Sequence, residues 1–252
     1  MKKTITLACV VLAFCGLLSK SVAQNPVTLE TFYDALTPYG QWVNYPDLGY
    51  VFIPSVAPGF IPYTTNGHWE YNEQFGWSWE SAYPWGWACF HYGRWNYDWQ
   101  YGWIWVPDTN WGPAWVAWRN CGNYYGWAPL PWGATVNMGF AGQYSIQPEH
   151  WCFVSREHIG DMNIGAFYLP RYYNREYLEH SSVLLNAQFD NDRRFGYFKG
   201  PDRREVEPFQ GNPIRIAPRR EERYERTLIA PRGQRQSPRY IDIREIPVRG
   251  IR

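Results

Sequence analysis

The sequence predicts an all-β fold: tandem antiparallel hairpin repeats forming a sheet, a sandwich or a barrel, with a short N-terminal helix and a small mixed C-terminal region. Three observations carry this. First, a motif of Gly-x-Trp, six residues and Gly-aromatic-x-aromatic occurs three times, starting at Gly40, Gly67 and Gly93. The copies start 27 and 26 residues apart, and a fixed period of that size marks a repeated supersecondary unit. Second, the aromatics of each return segment sit two apart, as in Trp77/Trp79 and Trp103/Trp105, so they share one strand face. Third, Pro-Gly-aromatic clusters separate the copies, and proline ends a strand because it cannot donate to a ladder.

Residues 1–23 read as a secretory signal peptide. Lys2 and Lys3 precede an apolar run of 14 residues, Ile5 to Leu18, and Ser21-Val22-Ala23 is a small-x-small cleavage site. No later segment approaches the ~18–20 apolar residues that a membrane-spanning helix needs. The predicted location is therefore the periplasm or cell envelope. Residues 24–38 form an N-terminal cap: Leu29, Phe32, Tyr33 and Leu36 follow helical spacing, Thr28 is a candidate N-cap, and Pro38 stops the helix.

Residues 39–132 form the repeat domain and hold fifteen of the sixteen tryptophans. Each Gly-x-Trp opens a strand, a polar segment turns the chain, and the second glycine opens the return strand. A degenerate fourth unit runs from Trp115 to Pro129. The expected product is one antiparallel sheet of about eight strands. Ser78 and Glu80 face away from Trp77 and Trp79 and read as solvated, whereas Ile104 and Val106 are apolar. The third unit is thus expected to be covered on both faces and the second on one.

Residues 133–217 form a non-repetitive α+β region. Trp151–Val154 and Phe195–Phe198 read as strands, Arg171 to Leu185 as room for a helix, and Ile214–Ile216 as a further strand. Asp202 starts a short helix that Gly211 ends. Residues 218–252 are rich in Arg, Glu and Pro and poor in core residues, so disorder is expected there. The net charge of +1 conceals a split: nine acids and two bases over residues 24–150, sixteen bases and eight acids over 193–252. Export argues against nucleic acid as the partner of that basic tail. The protein's own acidic body or an anionic envelope polymer fits better.

Several motifs recur in order at matching spacing. They include Phe32–Gly40, the Gly-Trp-x-Trp units, Pro84-Trp85-Gly86-Trp87-Ala88, His91–Trp95, Trp111–Trp115, Gly126–Leu130 and Gly200-Pro201-Asp202. Over residues 30–202 they resemble an uncharacterised family of exported, tryptophan-rich bacterial proteins that carries a domain of unknown function. The resemblance implies a bacterial envelope protein and supplies no catalytic residue. The first unit departs from the pattern, with Tyr50 and Phe52 in place of tryptophans.

The rings are the candidate binding groups, because aromatic faces stack on sugars and attract cations. Core packing competes for them: a buried Trp removes ~200 Å² from water, about 5 kcal/mol gross. Trp85, Trp99 and Trp111 lie in connections rather than strands, so they are the tentative binding residues. The expected partner is an envelope glycan or an envelope protein. Glu70, Glu73, Glu80, Asp98 and Asp108 lie near the hairpins, where a paired carboxylate would suggest glycoside hydrolysis. At turns they read as solvated acids, and no nucleophile or phosphate-cradling motif accompanies them, so no enzyme activity is expected. Among the histidines, at 68, 91, 150, 158 and 180, His150 and Cys152 could share a strand face. Two ligands do not make a metal site, so no metal or cofactor is expected. Cys89, Cys121 and Cys152 leave one disulfide possible, with three pairings open.

Overall fold

The two glycines of the repeat solve different local problems. The first sits beneath a ring of its own hairpin: a Cβ on Gly67 would come within 2.6 Å of both the Trp79 ring and the Glu80 carbonyl. The second is the turn residue, at φ of 71°, 82° and 75° for Gly49, Gly76 and Gly102, where only glycine sits without strain. The residues between then pair rings across the strands. Register sets Trp42 opposite Phe52, Trp69 opposite Trp79, Trp95 opposite Trp105 and, in the fourth unit, Trp118 opposite Trp127.

The computed structural model describes residues 27–134, 146–189, 195–211 and 213–216, and the backbone of Tyr240–Asp242. The proposed signal segment and most of the tail lie outside these residues. Helix α1 (Leu29–Leu36) buries Phe32 and Leu36, and the Thr28 amide donates to Thr31 Oγ1 at 3.4 Å. The first hairpin is β1 (Gly40–Tyr45) and β2 (Gly49–Pro54), and the second is β3 (Gly67–Asn72) and β4 (Gly76–Ser81). A short helix, α2 (Gly86–Cys89), precedes β5 (Arg94–Asp98) and β6 (Gly102–Val106). The fourth hairpin is β7 (Val116–Cys121) and β8 (Tyr124–Pro129). Then come β9 (Cys152–Ser155), α3 (Asn174–Glu179), β10 (Ser182–Val183), β11 (Ala187–Phe189), β12 (Gly196–Phe198), α4 (Arg203–Val206) and β13 (Tyr240–Asp242).

All four hairpins form as the spacing predicts, but they do not share one sheet. The strands sort into sheets of order β13-β1-β2-β6-β5 and β10-β7-β8-β9, and two-stranded sheets β11-β12 and β3-β4. The β3–β4 hairpin stands alone because its edge partners are irregular segments. The Trp79 amide donates to the Pro113 carbonyl (3.1 Å) and the Tyr71 amide to the Arg215 carbonyl (3.0 Å). Ile214–Ile216 therefore gives a single bridge at Ile216 rather than a strand. The same Pro113 segment corrects the expected solvation of Ser78, which is buried with its hydroxyl 3.4 Å from the Pro113 carbonyl. The third unit is covered on both faces as expected: Trp103, Trp105, Ile104 and Val106 are all buried.

One aromatic core joins the hairpins. Trp69 lies between Trp79 (5.1 Å, edge-on), Trp118 (4.7 Å) and Trp127 (5.5 Å). Buried Arg94 stacks its guanidinium 3.3 Å from the Trp115 ring centroid, and burial pulls its pKa down to about 10. The helix expected within Arg171–Leu185 is shorter than that span. A 3-10 turn (Arg171–Tyr173) leads into α3, and β10 follows directly. Asp202 caps α4 through the Arg204 amide at 2.8 Å. Within the tail, expected to be largely disordered, Tyr240–Asp242 pair in parallel with Trp42–Asn44.

Candidate functional site

The β5–β6 turn is held rigidly. One oxygen of Asp98 accepts the amides of Gln100 (2.7 Å) and Tyr101 (2.8 Å), and the other accepts the Tyr45 hydroxyl (2.6 Å). This hydrogen bond, aided by burial, pushes the Tyr45 phenol up to about 12. On that fixed turn stand two aromatic side chains in solvent, Trp99 at 81 % exposure and Tyr97 at 54 %. Large apolar side chains on a rigid support lose little conformational freedom on binding.

Beside the turn opens a cleft of 1010 Å³. Its walls come from β2, the loop after it and the β5–β6 turn, and residues 147–150 with Arg171 close the far side. Trp103, Pro54, Phe60 and Ile61 supply buried lining, while Gln41, Gln100, Gln147, Glu149 and Arg171 bring polar groups. The His150 ring rests on Trp103 (4.7 Å) and Tyr97 (4.8 Å). Its burial pulls the imidazole pKa below the ordinary value of 6.5, so the ring is neutral near pH 7. An apolar cleft with a few convergent polar groups is the usual form of a ligand site.

Comparison between repeats isolates what is special here. Register pairs Tyr97 with Trp103 in the third unit and Tyr71 with Trp77 in the second, with nearly equal ring separations of 5.4 and 5.6 Å. In the second unit the chain covers the tryptophan of the pair: Trp77 donates its amide to the Lys199 carbonyl (2.9 Å) and its indole to the Pro201 carbonyl (3.1 Å). In the third unit His150 lies against the rings and the cleft opens beside them.

Of the three predicted residues, only Trp99 is exposed as expected. Trp85 is corrected: at 2 % exposure it is core, stacked on Tyr83 (4.5 Å) and Phe90 (5.6 Å). The Pro84–Trp87 connection folds inward as the start of α2 instead of looping out. Trp111 is corrected too, being half-buried between Phe75 (4.9 Å) and His91 (5.7 Å). The three rings do not converge on one site. Tyr97, Trp103, His150 and Arg171 escaped the sequence reading. The signal for the first two was the aromatic pairing implied by hairpin register, whereas nothing local announces His150 or Arg171.

The candidate acids have structural duties. Glu70 is 3.2 Å from His68, Glu73 pairs with Arg203, the Glu80 carboxylate accepts from Ser78 (3.3 Å), and Asp108 holds Asn110 (3.0 Å). His150 and Cys152 do not share a strand face, because His150 ends a 3-10 turn before β9 begins. Among the described residues no cluster of three metal-binding side chains occurs. Cys89, Cys121 and Cys152 are all free thiols, and burial raises the pKa of each. No described helix is long and apolar enough to cross a membrane.

No curated protein and no solved structure matches this chain. A family match exists and is shorter than the resemblance read across residues 30–202. It spans the four hairpins and the β2 and β5–β6 walls of the cleft, but not His150 or Arg171. Residues 33–134 match the model of DUF6600, a family of unknown function.

Proposed function

We propose that the protein is an exported binding module that takes an envelope glycan in the cleft beside the β5–β6 turn. The observation that carries this reading is the Tyr97–Trp103 pair, which borders an open cleft where the equivalent of Trp103 in the second unit, Trp77, is sealed by the chain. Tyr97 in the cleft lining, and exposed Trp99 on the same turn, offer faces for sugar C–H groups, and the three lining glutamines offer both donors and acceptors for hydroxyls. Glu149 is the one carboxylate in the lining, which favours binding over a paired-acid hydrolysis. Most of the remaining tryptophans serve the core.

The test is a pull-down on purified peptidoglycan together with a glycan array. Wild type binds, and Trp99→Ala or Tyr97→Ala each weakens binding by about tenfold, equivalent to ~1.4 kcal/mol. Absence of binding by wild type, or undiminished binding by both variants, sinks the proposal. A second reading has its own support: in the second unit the equivalent tryptophan is covered by polypeptide, Lys199 to Pro201. An extended peptide would fit the third by the same logic. Retention of an envelope protein, with no signal on any glycan, selects that reading.

A further inference from the structure

The sheet β13-β1-β2-β6-β5 has a second apolar face, opposite the aromatic core. Val43, Val51, Ile104 and Val106 lie there, each at 0–1 % exposure. Among the described residues, the apolar side chains packed on them are Tyr45, Leu48, Ile53 and Tyr101, all from the same two hairpins. At the β5–β6 end Arg94, opposite Val106, lies against the Trp115 ring, and Asn96, opposite Ile104, accepts the Trp132 amide. Over β1–β2, neighbours within one sheet cannot remove the face from water, so a further segment must lie there.

The chain itself leads to this face. Tyr240 pairs with Trp42 and Asp242 with Asn44, in parallel, so β13 runs in the same direction as β1, toward the end where Tyr45 and Leu48 lie. The residues that follow include Ile243, Ile246, Val248 and Ile251. Three parallel pairs alone make a weak attachment, because so short a strand fixes backbone for few hydrogen bonds. Charge favours the approach as well: residues 217–252 hold ten bases and five acids, against two bases and nine acids in residues 24–150. We propose that residues 243–252 fold over the outer face of the β1–β2 hairpin, so that the C-terminal segment is a strap closing both the edge and the apolar face of this sheet in cis.

Hydrogen exchange by mass spectrometry on the full chain tests this. In the triple variant Ile243→Asp, Ile246→Asp, Val248→Asp, peptides over residues 42–53 should exchange about tenfold faster, while those over 67–81 keep their rate as a control for folding. Ile241→Pro, placed at the middle of the three residues of β13 that pair with β1, should accelerate the same peptides. Unchanged exchange at 42–53 in both variants overturns the strap. So does loss of that protection on removing residues 1–23 instead, which would make the N-terminal segment the cover. Protection that rises with protein concentration would assign the face to a second copy and equally defeats the proposal.

Discussion

At the scale of single residues, the repeat's glycines are the most sharply testable feature, because Gly67, at the first position of its copy, and Gly102, at the second position of the next, fail for different reasons. Gly67→Ala drives a methyl group against the Trp79 ring and the Glu80 backbone, neither of which can yield, so a loss of about 2–3 kcal/mol is expected by denaturant unfolding. At Gly102 nothing lies within 4 Å of a new Cβ, but φ is +75°. Gly102→Ala should therefore cost only about 1 kcal/mol, from backbone strain alone. Equal costs would mean that the two positions have been misassigned. The glycines were legible from spacing, whereas their separate duties required the paired ring across the hairpin. His150 is the complementary case. Burial lowers its pKa, so the unfolded chain binds the proton more readily. Its contribution to stability is complete above the ordinary value of 6.5 and is lost as pH falls below it. The His150 resonance should titrate below 6.5 by NMR, and His150→Gln should flatten the acid limb of the stability curve.

Among the elements, the β5–β6 turn joins fold and candidate function. Asp98 reads from sequence as a solvated acid at a turn, and it is at the turn, where it caps two local amides; its bond to Tyr45 was hidden because Tyr45 lies 53 residues away. Tyr45→Phe removes one of those bonds and should cost about 1 kcal/mol while loosening Trp99. If Trp99 is part of the binding surface, glycan affinity falls in this variant although no contacting residue has changed. The emission anisotropy of Trp99 should fall with it, and unchanged anisotropy would mean that the turn does not depend on Tyr45. The hairpins themselves were legible because each is local, punctuated by its own glycines. Their grouping into sheets was not. It depends on Pro113, Lys199 and Arg215 occupying the edges of β3–β4, and no periodicity marks those positions. The Pro84–Trp87 connection misled for a related reason: proline and glycine mark the end of a strand, but burial of Trp85 is completed by Phe52 and Phe60 arriving from elsewhere, alongside its neighbours Tyr83 and Phe90.

For the whole molecule, the tryptophan distribution separates scaffold from surface in one measurement. Trp42, Trp69, Trp77, Trp79, Trp85, Trp95, Trp105, Trp115, Trp118 and Trp127 rank among the largest fully buried side chains, and they come from all four hairpins. Each is held by neighbours of its own kind, so truncating one opens a cavity that a stiff aromatic core cannot close. Trp85→Ala should accordingly cost about 3–5 kcal/mol and broaden the unfolding transition. Trp99, at 81 % exposure, and Trp132, at 41 %, are the tryptophans that stand well into solvent. Emission should then divide into a large blue-shifted component untouched by iodide and a small red-shifted component that iodide quenches. The double variant Trp99→Phe, Trp132→Phe should remove most of the quenchable component and leave the folding midpoint within ~0.5 kcal/mol of wild type, as surface changes do. If a saturating glycan protects Trp99 from iodide in Trp132→Phe, the exposed ring and the ligand share one site. If the quenchable component survives the double variant, rings assigned to the core reach solvent and the division between scaffold and binding face fails.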